Sequence, residues 1–90
     1  LQTIMTVADT PLASVSTPFA LVIANIVHDV LLELAPDLSR LTAAGGQLIL
    51  SGLLAGQQVT NIISCFTDLG FALRRQEQKK EWAVLLLAKN

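Results

Sequence analysis

Apolar residues along this ninety-residue chain follow two rhythms, short unbroken runs and recurrences at helical spacing, and their alternation predicts an α/β fold. Thr3 to Ala8 is a short β-favouring run that stops at Asp9, where Thr10-Pro11 forces a turn. Leu12 to Pro18, rich in Ser, Thr, Ala and Pro, leads into Phe19-Ala-Leu-Val-Ile-Ala24. That run is apolar without alternation, the pattern of a parallel strand buried on both faces. Asp29 is placed to cap a helix carrying Val30, Leu31, Leu34, Leu38 and Leu41 on its apolar face. Pro36 removes a backbone donor inside that helix, which predicts a kink or a second short helix beginning there.

Gly45-Gly46 ends the helical segment, and Gln47 to Leu50 is the next buried strand, finishing at Ser51-Gly52. About twenty residues separate the two buried runs, enough for a right-handed helical crossover between parallel neighbours. A second helix, from about Gly56 to Leu69, sets Val59, Ile62, Ile63, Phe66 and Leu69 on one face and stops at Gly70. Phe71 to Glu77 and Glu81 to Lys89 then read as the strands of a hairpin joined by the polar tip Gln78-Lys79-Lys80. The expected architecture is a mostly parallel sheet with a C-terminal antiparallel hairpin and helices on both faces.

Composition adds a tension to this picture. Apolar residues make up 52% of the chain and charged residues only 14%, against roughly 25% charged in an ordinary soluble domain. A chain this short buries only about 60 to 65% of its unfolded surface. So much apolar surface implies a larger body or an oligomer that covers it. A net charge of -1 gives no general attraction for nucleic acid or an anionic membrane. Direct nucleic-acid binding is therefore not expected. Cys65 has no partner for an internal disulfide and falls at an apolar helical position, so it reads as a reduced, packed thiol in a cytoplasmic protein. No apolar run reaches the roughly 18 to 20 residues that span a bilayer, and Leu1 to Thr6 lack the basic start of a signal peptide.

In an open α/β sheet, ligands bind beyond the carboxyl ends of the strands. Three predicted strand ends meet there, carrying Asp9, Asn25 and Ser51-Gly52. An amide offers one acceptor and two donors, so Asn25 could orient an amino group for attack. It could equally satisfy backbone groups at the turn, where Asn is favoured.

The stretch Val22-Ile-Ala-Asn-Ile-Val-His-Asp-Val-Leu-Leu-Glu-Leu-Ala-Pro-Asp37, then Ala44-Gly-Gly-Gln-Leu-Ile-Leu-Ser-Gly-Leu-Leu54 and Glu81-Trp82, resembles the family that methylates the large-subunit ribosomal protein eleven. The similarity covers the chain from Phe19 onward. The order of the Ala-Asn-Ile signature, the Glu-Leu-Ala-Pro helix and the Gly-Gly strand carries it, since a Gly-Gly strand alone recurs across class I methyltransferases. The resemblance implies the C-terminal half of a Rossmann-like class I methyltransferase domain, spanning residues 1–90. It also implies S-adenosyl-L-methionine as methyl donor and N-methylation of a ribosomal protein. By the same resemblance Asn25 corresponds to the motif Asn that binds S-adenosylmethionine beside its methyl group. Asp9 corresponds to an acidic residue near the adenine amino group, with a turn-capping Asp as the other reading. Ala44 stands where the family commonly has Pro.

What the family has and this sequence lacks is a strand followed by a Gly-rich loop, the element that cradles most of such a cofactor. A separate substrate-recognition domain is missing as well. The isolated chain is therefore expected to be inactive. The rival expectation is a non-catalytic α/β fragment that assembles with a partner or with itself. In class I methyltransferases two further strands lie between this chain's first strand and its Phe19 strand. The bared edge is expected to be paired by another chain or by the Thr3 to Ala8 strand moving in.

The remaining candidates read as structural. His28 is a solvated His near a helix start, with no second ligand at metal spacing. Trp82 reads as core packing. Arg74, Arg75, Lys79 and Lys80, interleaved with Gln and with Glu77 and Glu81, form a solubilising hairpin.

Overall fold

A computed structural model describes residues 4–7 and 19–90. Strand β1 (Ile4–Val7) is followed by β2 (Phe19–Asn25), helix α1 (His28–Leu41), β3 (Thr42–Leu54), α2 (Gln57–Asp68), β4 (Phe71–Lys79) and β5 (Trp82–Lys89). They build one sheet in the order β1-β2-β3-β5-β4. Strands β1, β2 and β3 pair in parallel, whereas β5 is antiparallel to both β3 and β4. Two reversals restore the direction, so β4 runs with the first three strands and β5 alone runs against them.

The strand near the start of the chain does move in. β1 lies directly beside β2, with Ile4 opposite Leu21 and Val7 opposite Ala24. The edge that β2 would otherwise bare is thus paired within the chain, without a second copy.

Alternation along the strands decides which face is covered. Val22 and Ala24 of β2, Leu48 and Leu50 of β3, and Leu85 and Leu87 of β5 stand in register and are fully buried. Leu31, Leu38 and Leu41 of α1 and Ile62 and Phe66 of α2 close over them in a single core. The rings of Phe66 and Phe71 meet edge to face, 5.5 Å apart, and tie α2 to the start of β4. The expectation of helices on both faces is corrected here: α1 and α2 pack against each other over one face. The reason is the direction of winding. Successive crossovers of one hand that step the same way across a sheet, β2 to β3 and then β3 to β4, put their helices on the same side.

Other boundaries differ from expectation for local reasons. Helix α1 continues unbroken through Pro36, which is exposed, so no second helix begins there. Asp29 is not its cap. Val27 occupies that position without any side-chain bond, and Asp29 lies in the first turn. Gly45-Gly46 does not precede β3 but lies within it, where the pairing with β2 is interrupted between Phe19 and Leu21. A side chain at Gly46 would press to 2.8 Å from the Ala43 carbonyl oxygen and 2.9 Å from that of Ala20. The α2 boundaries fall within a residue of those predicted, with Gly56 and Leu69 flanking it. The hairpin turn is tighter than predicted, with Lys80 holding a left-handed φ of 56° at its tip.

Opposite the helices, the sheet carries Trp82 and Leu54, which face each other across β5 and β3, together with Val84. Trp82 is therefore not core: half of it is accessible, because the position next to buried Ala83 must point away from the helices. The α1 carboxyl end is fastened to the last strand by Lys89, whose Nζ donates to the carbonyls of Ser39 and, at 2.9 Å, Thr42. Buried Thr42 returns its hydroxyl proton to the Leu38 carbonyl at 2.8 Å.

These assignments order two substitutions in the ninety-residue chain. Phe66→Ala should lower unfolding stability by about 3–5 kcal/mol, and Trp82→Ala by less than half of that. Urea titration followed by circular dichroism checks the order, and a Trp82 cost as large as that of Phe66 would contradict the placement of that ring.

Candidate functional site

The carboxyl ends of three parallel strands come to one edge of this sheet, the edge at which open α/β folds bind ligands. Asn25 closes β2 there, exposed and directly opposite Ser51 of β3. Since Val22 and Ala24 turn toward the helices, alternation turns Asn25 to the other face.

Asn25 had a structural alternative, satisfying the turn into α1, and the local geometry decides against it. The residue at the start of α1 is Val27, in extended conformation, and no side chain caps the helix. Its backbone carbonyl accepts the first helical bond, from Leu31 N–H at 2.9 Å. Among the described residues, the Asn25 carboxamide enters none of the hydrogen bonds. The residue is exposed, and its Oδ1 lies against Gly52 of β3.

Beside it, β3 departs from its ladder with β5. Leu50 pairs with Leu85 and Leu53 with Ala83, so Ser51 and Gly52 together oppose Val84. Gly52 takes a left-handed φ of 79°, and its bare Cα lies against the Asn25 side chain. A bulge of this kind turns a strand out of register, and such irregularities recur next to active sites.

His28 follows on the first turn of α1, and it is not the solvated group expected. Its side chain is only 14% accessible. Nδ1 lies 2.9 Å from Asp29 Oδ1, and Nε2 lies 3.5 Å from Asn61 Nδ2 on α2. Asn61 Oδ1 accepts in turn from Gln57 Nε2 at 2.9 Å. Donors and acceptors agree along this chain of four if Nδ1 carries the imidazole proton, so His28 joins the two helices at their near ends. The sequence signal for the partners was the Gln57–Asn61 spacing of one helical turn, which points to no partner on another helix.

Asp9, the other predicted cofactor contact, lies outside the described residues. Among the described residues there is no enclosed cavity and no group of three side chains able to hold a metal ion. Also among them, no helix is long and apolar enough to cross a membrane. The basic hairpin is solvated throughout, and Arg75 is engaged by Glu77 at 2.7 Å.

The fold is that of methyltransferases. A solved antibiotic-resistance methyltransferase, Kmr, superposes on 90% of this chain and 57% of its own with a TM-score of 0.63 at 17% identity, a likeness of fold alone. The solved ribosomal protein L11 methylase of Lactobacillus delbrueckii subsp. bulgaricus matches more tightly, with a TM-score of 0.79 and 30% identity over 88% of this chain and 41% of its own. Residues 2–90 match the family model described as "Ribosomal protein L11 methyltransferase (PrmA)", and the chain belongs to that family. It is 45% identical over 80 residues to the ribosomal protein L11 methyltransferase of Desulfotalea psychrophila, covering 89% of this chain and 27% of that protein. With that of Geobacter metallireducens it is 39% identical over 77 residues, 86% of this chain and 25% of the relative. The chain thus spans about a quarter of the length of the curated relatives it matches.

Cys65, half-buried on α2, behaves as the packed thiol expected. Burial first, and the nearby Asp68 carboxylate second, push its pKa above the ordinary 9.0. The unfolded chain then ionises before the folded one, so this group lowers stability as pH rises through and beyond 9.0. Since the thiolate is the reactive form, Cys65 should alkylate with iodoacetamide at pH 8 more slowly than a solvated thiol, and Asp68→Asn should speed it. Equal rates in the two proteins would exclude the carboxylate's part.

Proposed function

We propose that the protein containing these ninety residues transfers methyl groups from S-adenosyl-L-methionine to amino nitrogens of ribosomal protein L11, and that Asn25 contacts both donor and acceptor. The observation that carries this reading is the exposed Asn25 carboxamide, unused by its own turn, at the carboxyl edge of a chain whose match to the family runs through it. Asp9, beyond the end of β1, is proposed as a second cofactor contact.

The group to be held suits the donor set. A carboxamide supplies an acceptor for an N–H or for a cation and two donors for carboxylate or ring acceptors. Bound here, S-adenosylmethionine supplies an electrophilic methyl group on sulfonium sulfur. Asn25 Oδ1 accepts one N–H of the neutral substrate amine and so turns the nitrogen lone pair toward that methyl. The amine so oriented would take up the methyl group that the cofactor supplies and release its extra proton to solvent. The contribution of these residues is alignment, which for well-oriented reactants is worth on the order of several kcal/mol.

These residues provide one wall of such a site. The reading therefore assigns activity to the whole protein, in the cytoplasm, and inactivity to residues 1–90 by themselves. One observation favours a second reading. With β1 seated directly on β2, the described strands already form a closed-order sheet of five, as a self-contained, non-catalytic α/β unit would.

Calorimetric titration separates the two. The ninety residues should show no micromolar affinity for S-adenosylmethionine, and such affinity would overturn the one-wall reading. In the intact protein, Asn25→Ala should reduce methyl transfer to ribosomal protein L11 by about a hundredfold. Unchanged turnover would remove Asn25 from the site.

A further inference from the structure

The bulge at Ser51–Gly52 lies where Asn25 needs room. A Cβ built on Gly52 would collide with Asn25 Oδ1 and stand 3.6 Å from its Cγ and 3.8 Å from the Ile26 nitrogen. No other described glycine stands against a side chain in this way: Gly45, Gly56 and Gly70 meet nothing within 4 Å, and Gly46 meets only backbone. The strand is bulged so that Ser51 and Gly52 oppose the single residue Val84, and the bulged residue lacks the one atom that would displace the carboxamide of its neighbour.

We infer that Gly52 is a positioning residue for methyl transfer, setting the Asn25 carboxamide by leaving its Oδ1 free to lie across the backbone of β3. This rests on the reading of Asn25 given above. The bulge fixes where the Gly52 Cα stands, and the missing side chain fixes how close the amide can come. A methyl at position 52 would rotate or lift the carboxamide, and displacements of about an ångström at a reacting centre cost on the order of a hundredfold in rate.

Gly52 also carries backbone strain for any other residue, since φ is 79°. Gly45 supplies the control. It lies on the same strand at φ 78°, with open space around it. Gly45→Ala therefore introduces the same strain without touching Asn25. In the intact protein, Gly52→Ala should lower kcat for methylation of ribosomal protein L11 at least tenfold, an estimate on the low side of such misplacement effects, while Gly45→Ala stays within about twofold of wild type. Both should lower the melting temperature similarly. In an Asn25→Ala background, Gly52→Ala should remove nothing further from kcat, because it acts through that amide. Should Gly52→Ala fail to fold, Gly52→Asn, which tolerates left-handed φ, replaces it with the same expected loss.

Wild-type kcat in the Gly52 variants, losses that add in the double variant, or an equal loss in Gly45→Ala would each overturn the inference. If Asn25→Ala lowers turnover and the Gly52 variants do not, this inference alone falls. If Asn25→Ala is itself without effect, the reading of Asn25 falls and this one with it.

Discussion

One packed layer organises the molecule: the inward row Val22, Ala24, Leu48, Leu50, Leu85 and Leu87, roofed by two helices. Each Leu buried there contributes about 1.5–3 kcal/mol from removal of apolar surface, which a chain of this length needs in order to offset its ordering entropy. Register follows from the same layer. A slip of one residue in β2 or β3 would send Val22 or Leu48 to the opposite face and bring Ile23 or Ile49 under the helices in its place. Asn25 sits opposite Ser51 because Val22 sits opposite Leu48. The geometry of the candidate site is thus inherited from the core, three residues further along the strand.

Winding in a single direction has a second consequence. With both helices on one side, the other side of the sheet is left with Leu54, Trp82 and Val84 at the surface. Part of the apolar excess of the composition is exposed there, and part at Val27 and Val30 around the start of α1. The helix-facing side is complete by comparison: among the described residues, no buried side-chain nitrogen or oxygen lacks a partner, and even the carboxyl end of α1 is met by Lys89.

Elements were legible in the sequence wherever period and punctuation agreed. The run from Phe19, the α2 face ending at Gly70, and the hairpin all rest on patterns local to a few residues. What failed depended on relations between distant residues. Trp82 is large and apolar, which suggests a core residue, but its face is fixed by the pairing of β5 with β3. Helices on both faces would require the winding to reverse, and no local pattern records the direction in which a crossover steps. His28 looked solvated because its partner Asn61 lies thirty-three positions away. Pro36 looked like a break, yet on the exposed side of a helix held by packing, a lost hydrogen bond is tolerated.

The candidate site divides in the same way. Asn25 could be singled out from its place after a buried run and from the resemblance that the Ala-Asn-Ile signature helps to carry. Gly52 could be named only as a small residue at a strand end, since its relation to Asn25 exists across two strands and depends on the bulge. A glycine at left-handed φ inside a strand weakens that strand relative to Ala, and a bulge gives up ladder hydrogen bonds. Gly is the residue that a bulge position at left-handed φ accepts, so the bulge and the bare Cα arise together, and what they leave is room against Asn25. Under the inference drawn above, the strand is shaped around the Asn25 side chain, with the cost in stability carried by the apolar layer beneath it.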